Sequence, residues 1–247
     1  MKSFFMRNLF CVICLSLLFM EVFASGKENG HGYVDLGLPS GTKWATCNIG
    51  AERPEEYGDY FAWGETLTKS IYGTTYKHSK GILGEITKYC NSSSFGFEGY
   101  VDNVFRLDLR DDVAHVNWGG KWVMPTHTQQ SELRNECFWV WTEDYNGTVV
   151  NGFVVYKVKN VRDKGVLINA AITPSSYSLS DVHIFLPAAG YRWKSRLEYA
   201  GSYGRYWGAS LSTGRSYYAW NISFDPDNVY GYCGYREEGL SVRAVFK

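Results

Sequence analysis

The stretch YVDLGLPSGTKWATCNIGA, from Tyr33 to Ala51, predicts how the chain begins to fold. It reads as a strand, a turn and a second strand. Pro39 has its φ preset for the second position of a β-turn, and Gly41 is free to adopt a left-handed conformation at the exit. We therefore expect an antiparallel hairpin here.

Other short runs toward the end of the chain also favour strands, because their residues are β-branched, aromatic or alternating in polarity. The expected strands are Phe138–Thr142, Phe153–Val158, His183–Ala188, Tyr217–Phe224 and Leu240–Phe246. The turn-rich sequence DPDN and several Gly-Tyr pairs separate the last two. None of these runs is long enough to predict a helix.

Helices are expected at only two places. Thr126 and Gln129 have the spacing of a capping box at the start of a helix that runs through Cys137. The run DDVAHVNW, from Asp111 to Trp118, begins with acidic residues that suit the dipole of a second helix. The pattern indicates an α+β fold with about two short helices, and no repeat of fixed period divides it.

The first 24 residues are typical of a secretory signal peptide, with cleavage expected after Ala24. The apolar run Leu9–Met20 is shorter than the roughly 20 residues that span a bilayer as a helix. Cys11 and Cys14 lie inside this run rather than just after it, so no lipobox is present. We therefore expect an exported protein, secreted or at the cell surface, with no transmembrane segment in the mature chain.

Composition narrows the expected partners and agrees with export. Subtracting Lys2, Arg7 and Glu21 from 25 basic and 25 acidic residues leaves 23 and 24, so a basic face for nucleic acid is not expected. The chain has 9 Trp, 19 Tyr, 14 Phe and 26 Gly, which favours a β-rich exported domain with many turns. Oligomeric state is left open.

The usual catalytic motifs are defective or missing. GLPSGTK, from Gly37 to Lys43, has the wrong spacing for a phosphate-binding loop, and neither Gly-x-Ser-x-Gly nor Gly-x-Gly-x-x-Gly occurs. The five histidines lack the spacing of a transition-metal site. Asp225, Asp227 and Asn228 offer hard oxygen ligands for calcium, but the same residues are ordinary turn formers. We expect no cofactor, with calcium as the one alternative.

Four cysteines remain after export: Cys47, Cys90, Cys137 and Cys233. An oxidising compartment permits disulfides, and three pairings are possible. Buried free thiols that pack as small apolar groups are an equal alternative.

Several motifs occur in an order that resembles the Fibrobacter succinogenes major paralogous domain family. They are YVDLGLPSGTKWATCNIGA, EYGDYFAWGE, DDVAHVNWGGKWVMPT, IFLPAAGYR, GSYGRYWGASL and GLSVRAV. The resemblance spans residues 33–247, after a short segment 25–32. It implies a C-type-lectin-like fold, related to the formylglycine-generating enzymes, with twisted antiparallel sheets and long loops. It also implies that the strand near Tyr33–Leu36 pairs with Ser241–Phe246.

Within this resemblance the stretch HVNWGGKWVMPT, from His115 to Thr126, is a scaffold motif. Trp118 and Trp122 would pack where a short helix meets the following strand, while Gly119 and Gly120 let the backbone turn beneath them. The core is expected to bury Trp44, Trp63, Trp118, Trp122 and Trp207.

The function expected from these observations is a non-catalytic binding domain that recognises a glycan or a surface protein. The alternatives are a structural component of a surface appendage and an enzyme of the formylglycine-generating type. The enzyme needs two thiolates close together for copper, whereas Cys233 stands alone in its loop. Aromatic and polar side chains of the C-terminal half are the expected ligand contacts: Trp193, Tyr199, Tyr203, Asp225, Asp227, Asn228 and Tyr230.

Overall fold

Strands dominate the computed structural model, which describes residues 25–80, 85–168 and 176–247. The expected signal peptide lies outside these residues. The two α-helices of the described part are α1 (Val113–Trp118) and α2 (His127–Glu136). The strands are β1 (Gly26–Glu28), β2 (His31–Val34), β3 (Lys43–Ala45), β4 (Phe138–Thr142), β5 (Gly152–Tyr156), β6 (Leu167–Ile168), β7 (His183–Pro187), β8 (Tyr191–Trp193), β9 (Arg196–Glu198), β10 (Gly204–Leu211), β11 (Tyr218–Asp225), β12 (Asn228–Tyr235) and β13 (Val245–Phe246).

The N-terminal hairpin is confirmed. Strands β2 and β3 are antiparallel, with Val34 opposite Trp44. The turn closes with a 2.8 Å hydrogen bond from the Gly41 N–H to the Leu38 carbonyl, and Gly41 has a φ of +76°. Pro39 therefore occupies the second turn position, as its fixed φ predicts.

The first and last strands of the described residues lie in one sheet, which we call the terminal sheet, of order β1-β2-β3-β13. The expected direct pairing of Tyr33–Leu36 with Ser241–Phe246 is wrong. Strand β13 pairs with β3 instead, with Val245 opposite Trp44. The reason is that β1 and β3 already occupy the two edges of β2, so the last strand pairs with the outer edge of β3. Residues 25–32 contribute β1 and the start of β2 to this sheet.

A second sheet, the mid-chain sheet, has the order β6-β4-β5-β7. Its pairs are antiparallel except for β4 with β6, which are parallel. All five residues of β5 are buried, because apolar clusters cover both faces of the sheet. A strand covered on both faces reads as a continuous apolar run, which explains the sequence FVVY.

Both predicted helices form. The Thr126 side chain accepts a hydrogen bond from the Gln129 N–H, and the Gln129 side chain bonds back to the Thr126 N–H, which completes the capping box. Asp112 caps α1 through the N–H groups of Ala114 and His115. No helix of the described residues is long and apolar enough to cross a membrane.

The two tryptophans of the stretch from His115 to Thr126 belong to the core, whereas residues such as Val116 and Lys121 are exposed. The rings of Trp118 and Trp122 meet edge to face at 5.2 Å between centroids, and Trp122 meets Phe246 of the last strand at 4.9 Å. Gly119 and Gly120 both have positive φ values, of 64° and 56°, which a residue with a side chain rarely adopts. The tryptophans expected in the core are all buried: Trp44, Trp63, Trp118, Trp122 and Trp207.

The three-stranded sheet, of order β10-β11-β12, carries the site described below. Its inner face packs Tyr206, Ile222 and Phe224 into the core. The segment 240–246 lies beside β10 at Ser241 but forms a ladder only at β13, so the predicted strand Leu240–Phe246 is too long. Its backbone changes partners along the way, since Leu240 pairs with Phe61 and the Ser241 carbonyl accepts from the Trp207 N–H.

Candidate ligand-binding site

A cleft of about 530 Å³ opens on the outer side of the three-stranded sheet. Its size lies within the range of about 300–1,000 Å³ that small-molecule sites occupy. We call it the tyrosine cleft, because six tyrosines line it. They are Tyr191 of β8, Tyr199 and Tyr203 from the loop between β9 and β10, and Tyr230, Tyr232 and Tyr235 of β12.

Strand periodicity explains how β10, β11 and β12 contribute to the cleft. Side chains two residues apart share a face, and the register places Arg205, Ser223 and Tyr230 in one row across the sheet. In the next row Asn221 faces Tyr232. The outer face of the sheet is therefore polar and aromatic, whereas the inner face is apolar.

The base of the cleft is a buried ion pair between Arg205 and Glu238. The Arg205 side chain is 5% exposed, and its Nη2 lies 2.8 Å from Glu238 Oε2. The Arg205 N–H does not point at Glu238 Oε2, so the two side chains attract each other as charges without forming a hydrogen bond. Arg205 Nε also lacks a hydrogen-bond partner among the described residues, as does Asn221 Nδ2.

Aromatic rings hold the guanidinium group of Arg205 in place. Its Cζ lies 4.8 Å from the ring centroid of Tyr191 and 5.4 Å from that of Tyr232. These distances are within the range of cation–π attraction. Gly234 leaves room for this group, because a Cβ there would lie 2.2 Å from Arg205 Nη2.

The rim of the cleft is made of tyrosine side chains at different depths. The hydroxyl oxygens of Tyr203 and Tyr230 are 2.6 Å apart and share a hydrogen bond. Burial, followed by this hydrogen bond, raises the pKa of Tyr230, so its hydroxyl keeps its proton. Tyr199 stacks on Tyr191 with a centroid distance of 6.0 Å, and Tyr199 is 64% exposed.

The structure brings together four of the seven predicted ligand contacts. Tyr199, Tyr203, Asp225 and Tyr230 line the tyrosine cleft. Trp193, Asp227 and Asn228 are not part of the lining. Trp193 packs its ring over Gly73, where an added Cβ would lie 2.4 Å from the indole, and it is half-buried.

Sequence reasoning missed much of the cleft. The residues not anticipated are Tyr191, Ser202, Arg205, Tyr232, Cys233, Gly234, Tyr235 and Glu238. The run YGYCGY of β12 does carry a signal, since its tyrosines at positions 230 and 232 are two apart and must share a face. Arg205 and Glu238 had no local signal, because 33 residues separate them.

The turn from Asp225 to Asn228 uses its own side chains. Asp225 Oδ1 accepts hydrogen bonds from the Asp227 N–H at 3.0 Å and the Asn228 N–H at 2.9 Å. One oxygen of the expected calcium ligand therefore serves the turn. In the part of the chain that the structure describes, no group of three or more His, Cys, Asp or Glu side chains could hold a metal ion.

The four cysteines of the described residues form no disulfide with one another. Cys47, Cys90, Cys137 and Cys233 are all free thiols. Cys233 is among the residues of the tyrosine cleft, but it lies opposite Trp220 and alternates with Tyr232, so its side chain lies on the other face of β12. Burial raises the pKa of the Cys233 thiol, which disfavours the thiolate that a nucleophile or a copper ligand must supply. It is the one cysteine in the lining as described.

The chain was compared with models of known protein families, with curated proteins and with solved structures, and none of the three comparisons gives a match.

Proposed function

We propose that this chain is an exported, non-catalytic binding domain, and that the tyrosine cleft is its ligand site. We also propose that it is a member of the Fibrobacter succinogenes major paralogous domain family with a C-type-lectin-like fold. The motifs quoted above support the family, and the α+β architecture with mostly antiparallel sheets is compatible with that fold. Export rests on the signal-peptide pattern of the first 24 residues.

The observation that carries the ligand site is the Arg205–Glu238 pair at the base of the cleft. Buried polar atoms in proteins are almost always hydrogen-bonded, and an unpartnered one calls for an explanation. Here Arg205, which has unpartnered donors, lines an open cleft with exposed aromatic rims. A pocket with aromatic walls and a few convergent polar groups is what ligand binding requires.

The protonation of three groups in the lining supports a binding role. Burial raises the pKa values of Tyr191, Tyr230 and Cys233, so these groups stay neutral near pH 7. Neutral tyrosines offer flat faces and hydroxyl groups, which suit recognition. A general base or a nucleophile would need a pKa moved toward the working pH instead.

The test is a screen of the purified chain against arrays of glycans and of extracellular proteins, with and without calcium. We expect a ligand whose retention is weakened by Tyr199→Ala and unchanged by Tyr100→Ala. Tyr100 is a matched control, because it is an exposed tyrosine that does not line the cleft. Turnover of a peptidyl cysteine substrate that is lost in Cys233→Ser would overturn the proposal in favour of the enzyme.

The same screen separates binding from a structural role. A component of a surface appendage would self-assemble, and its assembly would be indifferent to Tyr199→Ala. We expect no concentration-dependent polymer of the purified chain in sedimentation velocity. Polymerisation without retention of any array ligand would favour the structural alternative.

A further inference from the structure

The charges of the tyrosine cleft disfavour an anionic ligand. Its lining contains one cation, Arg205, and two carboxylates, Glu238 and Asp225. Arg205 is already within 2.8 Å of Glu238, so its charge is compensated at short range. A carboxylate, sulfate or phosphate group entering the cleft would meet a net negative charge rather than a free guanidinium.

A cationic ligand would be attracted by the net negative charge of the lining, but it would find two of the aromatic rings already engaged. Arg205 lies against the rings of Tyr191 and Tyr232, so the protein itself supplies their cation. A second cation near those rings would be repelled by the first. The cleft therefore resembles an aromatic cage for a cation, in which Arg205 of the protein itself is the bound cation.

The hydrogen-bonding groups at the rim suit hydroxyl groups. One hydroxyl of the Tyr203–Tyr230 pair donates its proton to the other. The second hydroxyl keeps a proton that it can donate, and both oxygens keep lone pairs that can accept. Asp225 Oδ1 serves the turn, and its other carboxylate oxygen accepts no hydrogen bond from the described residues. A sugar hydroxyl can donate to one of these groups and accept from another, which neither an ammonium nor a carboxylate group can do.

Resting on the proposed function, we infer that the cleft binds an uncharged pyranose residue of a glycan without a metal ion. The exposed faces of Tyr199 and Tyr232, which are 64% and 48% exposed, stack on the sugar ring. The Tyr203–Tyr230 hydroxyl pair bonds the ring hydroxyls. Arg205 and Glu238 hold Tyr191 and Tyr232 in place from below and act as positioning residues.

The experiment measures binding of the purified chain to three sets of oligosaccharides: neutral hexose polymers, uronic-acid or sulfated polymers, and amino-sugar polymers. Each set is tested with a chelator and at low and high salt. The variants are Tyr232→Ala, Tyr232→Phe and the control Tyr100→Ala. We expect binding of neutral glycans only, with no dependence on chelator and little on salt. Tyr232→Ala should weaken it about tenfold or more, because a truncated aromatic anchor typically costs at least that much.

Tyr232→Phe should retain binding, since it keeps the stacking face. Three results would overturn the inference in distinguishable ways. If anionic or cationic polymers bind and Tyr232→Ala abolishes their binding, the ligand class is wrong and the proposed binding function stands. Binding that a chelator removes would also contradict the ligand class and mechanism alone. If no glycan and no array protein is retained, the proposed function fails together with the inference.

Discussion

Buried arginines occur in two regions of this molecule, and their hydrogen bonding differs between the two. In the core, the Arg243 guanidinium donates hydrogen bonds to Asn48 Oδ1 at 2.8 Å and to the Phe185 carbonyl at 2.8 Å. It also donates to the carbonyls of Ala45 and Thr46. In the tyrosine cleft, Arg205 faces a carboxylate and two aromatic rings, and its Nε and Nη2 atoms lack hydrogen bonds to the described residues.

The core arrangement joins distant parts of the chain. Arg243 connects β3, the loop after it and β7, and Arg236 does the same for the carbonyls of Lys88, Tyr89 and Ser216. Each of these charges is stabilised by oriented carbonyl dipoles rather than by a carboxylate. The buried charges of Arg236 and Arg243 are hydrogen-bonded parts of the fold, whereas the leftover donors of Arg205 lie at the cleft that we propose as the ligand site.

The largest loss of stability is expected when Arg243 is replaced. Replacing it with methionine, Arg243→Met, removes the donors of four buried acceptors, each worth about 1–3 kcal/mol when left unsatisfied. We expect a loss of about 4 kcal/mol or more in the free energy of unfolding, measured by urea denaturation. A loss below 1 kcal/mol would mean that the arginine does not hold these segments together.

The tryptophan cluster beside the last strand gives the next largest effect. Trp122→Ala should reduce the free energy of unfolding by about 3–5 kcal/mol, because it removes a large apolar surface and leaves a cavity. Trp193→Ala is the matched control, since Trp193 is half-buried at the edge and should lose clearly less. Equal losses for the two variants would contradict the placement of Trp122 in the core.

The pH dependence of stability tests the electrostatics of the core. Burial, aided by the charge of Arg236, lowers the pKa of His78 from 6.5 to about 4. The unfolded chain then binds a proton between pH 6.5 and pH 4 that the folded chain does not, so stability is lost as pH falls through this window. The loss should reach about 3 kcal/mol near pH 4.

His78→Phe isolates this contribution. Burial also lowers the pKa of His31, His127 and His183, so the wild type alone would report their sum. The difference in unfolding free energy between wild type and variant should shrink as pH falls from 6.5 to 4. A difference that is constant over this range would show that His78 does not titrate abnormally.

Removing the buried arginine of the cleft should change the stability much less than removing Arg243 from the core. In the double variant Arg205→Met/Glu238→Leu, apolar side chains of similar size replace a buried ion pair, which is often neutral or stabilising. We expect the free energy of unfolding to change by less than about 1 kcal/mol, while ligand binding is lost. If this double variant and Arg243→Met both lost several kcal/mol in the free energy of unfolding, the distinction between the two arginines would be wrong.

The smallest stability effect is expected at the rim. Tyr199→Ala should change the free energy of unfolding by less than about 0.5 kcal/mol, because Tyr199 is 64% exposed and lies away from the core. Its thermal midpoint should match that of Tyr100→Ala, whereas its retention of ligand should not. A lowered midpoint would mean that Tyr199 supports the β9–β10 loop rather than a ligand.

Much of the local structure could be predicted from the sequence, because the signals that specify it are close together in the chain. Pro39 and Gly41 are two residues apart and predict the turn between β2 and β3. Thr126 and Gln129 are three apart and predict the start of α2. The aromatic and β-branched residues of Phe138–Thr142 predict β4 with its observed limits. Backbone sterics and side-chain capping act over a few residues, so these features need no knowledge of the rest of the fold.

The tertiary structure alone decided which segments lie side by side. The last strand joins β3 rather than β2 because β1 fills the other edge of β2. Arg205 and Glu238 become the base of a cleft, while Arg236 and Arg243 become part of the core. No local sequence pattern distinguishes the first pair from the second. Whether a buried charge is satisfied depends on carbonyls, carboxylates and rings contributed by distant segments, and such contacts exist only once the chain has folded.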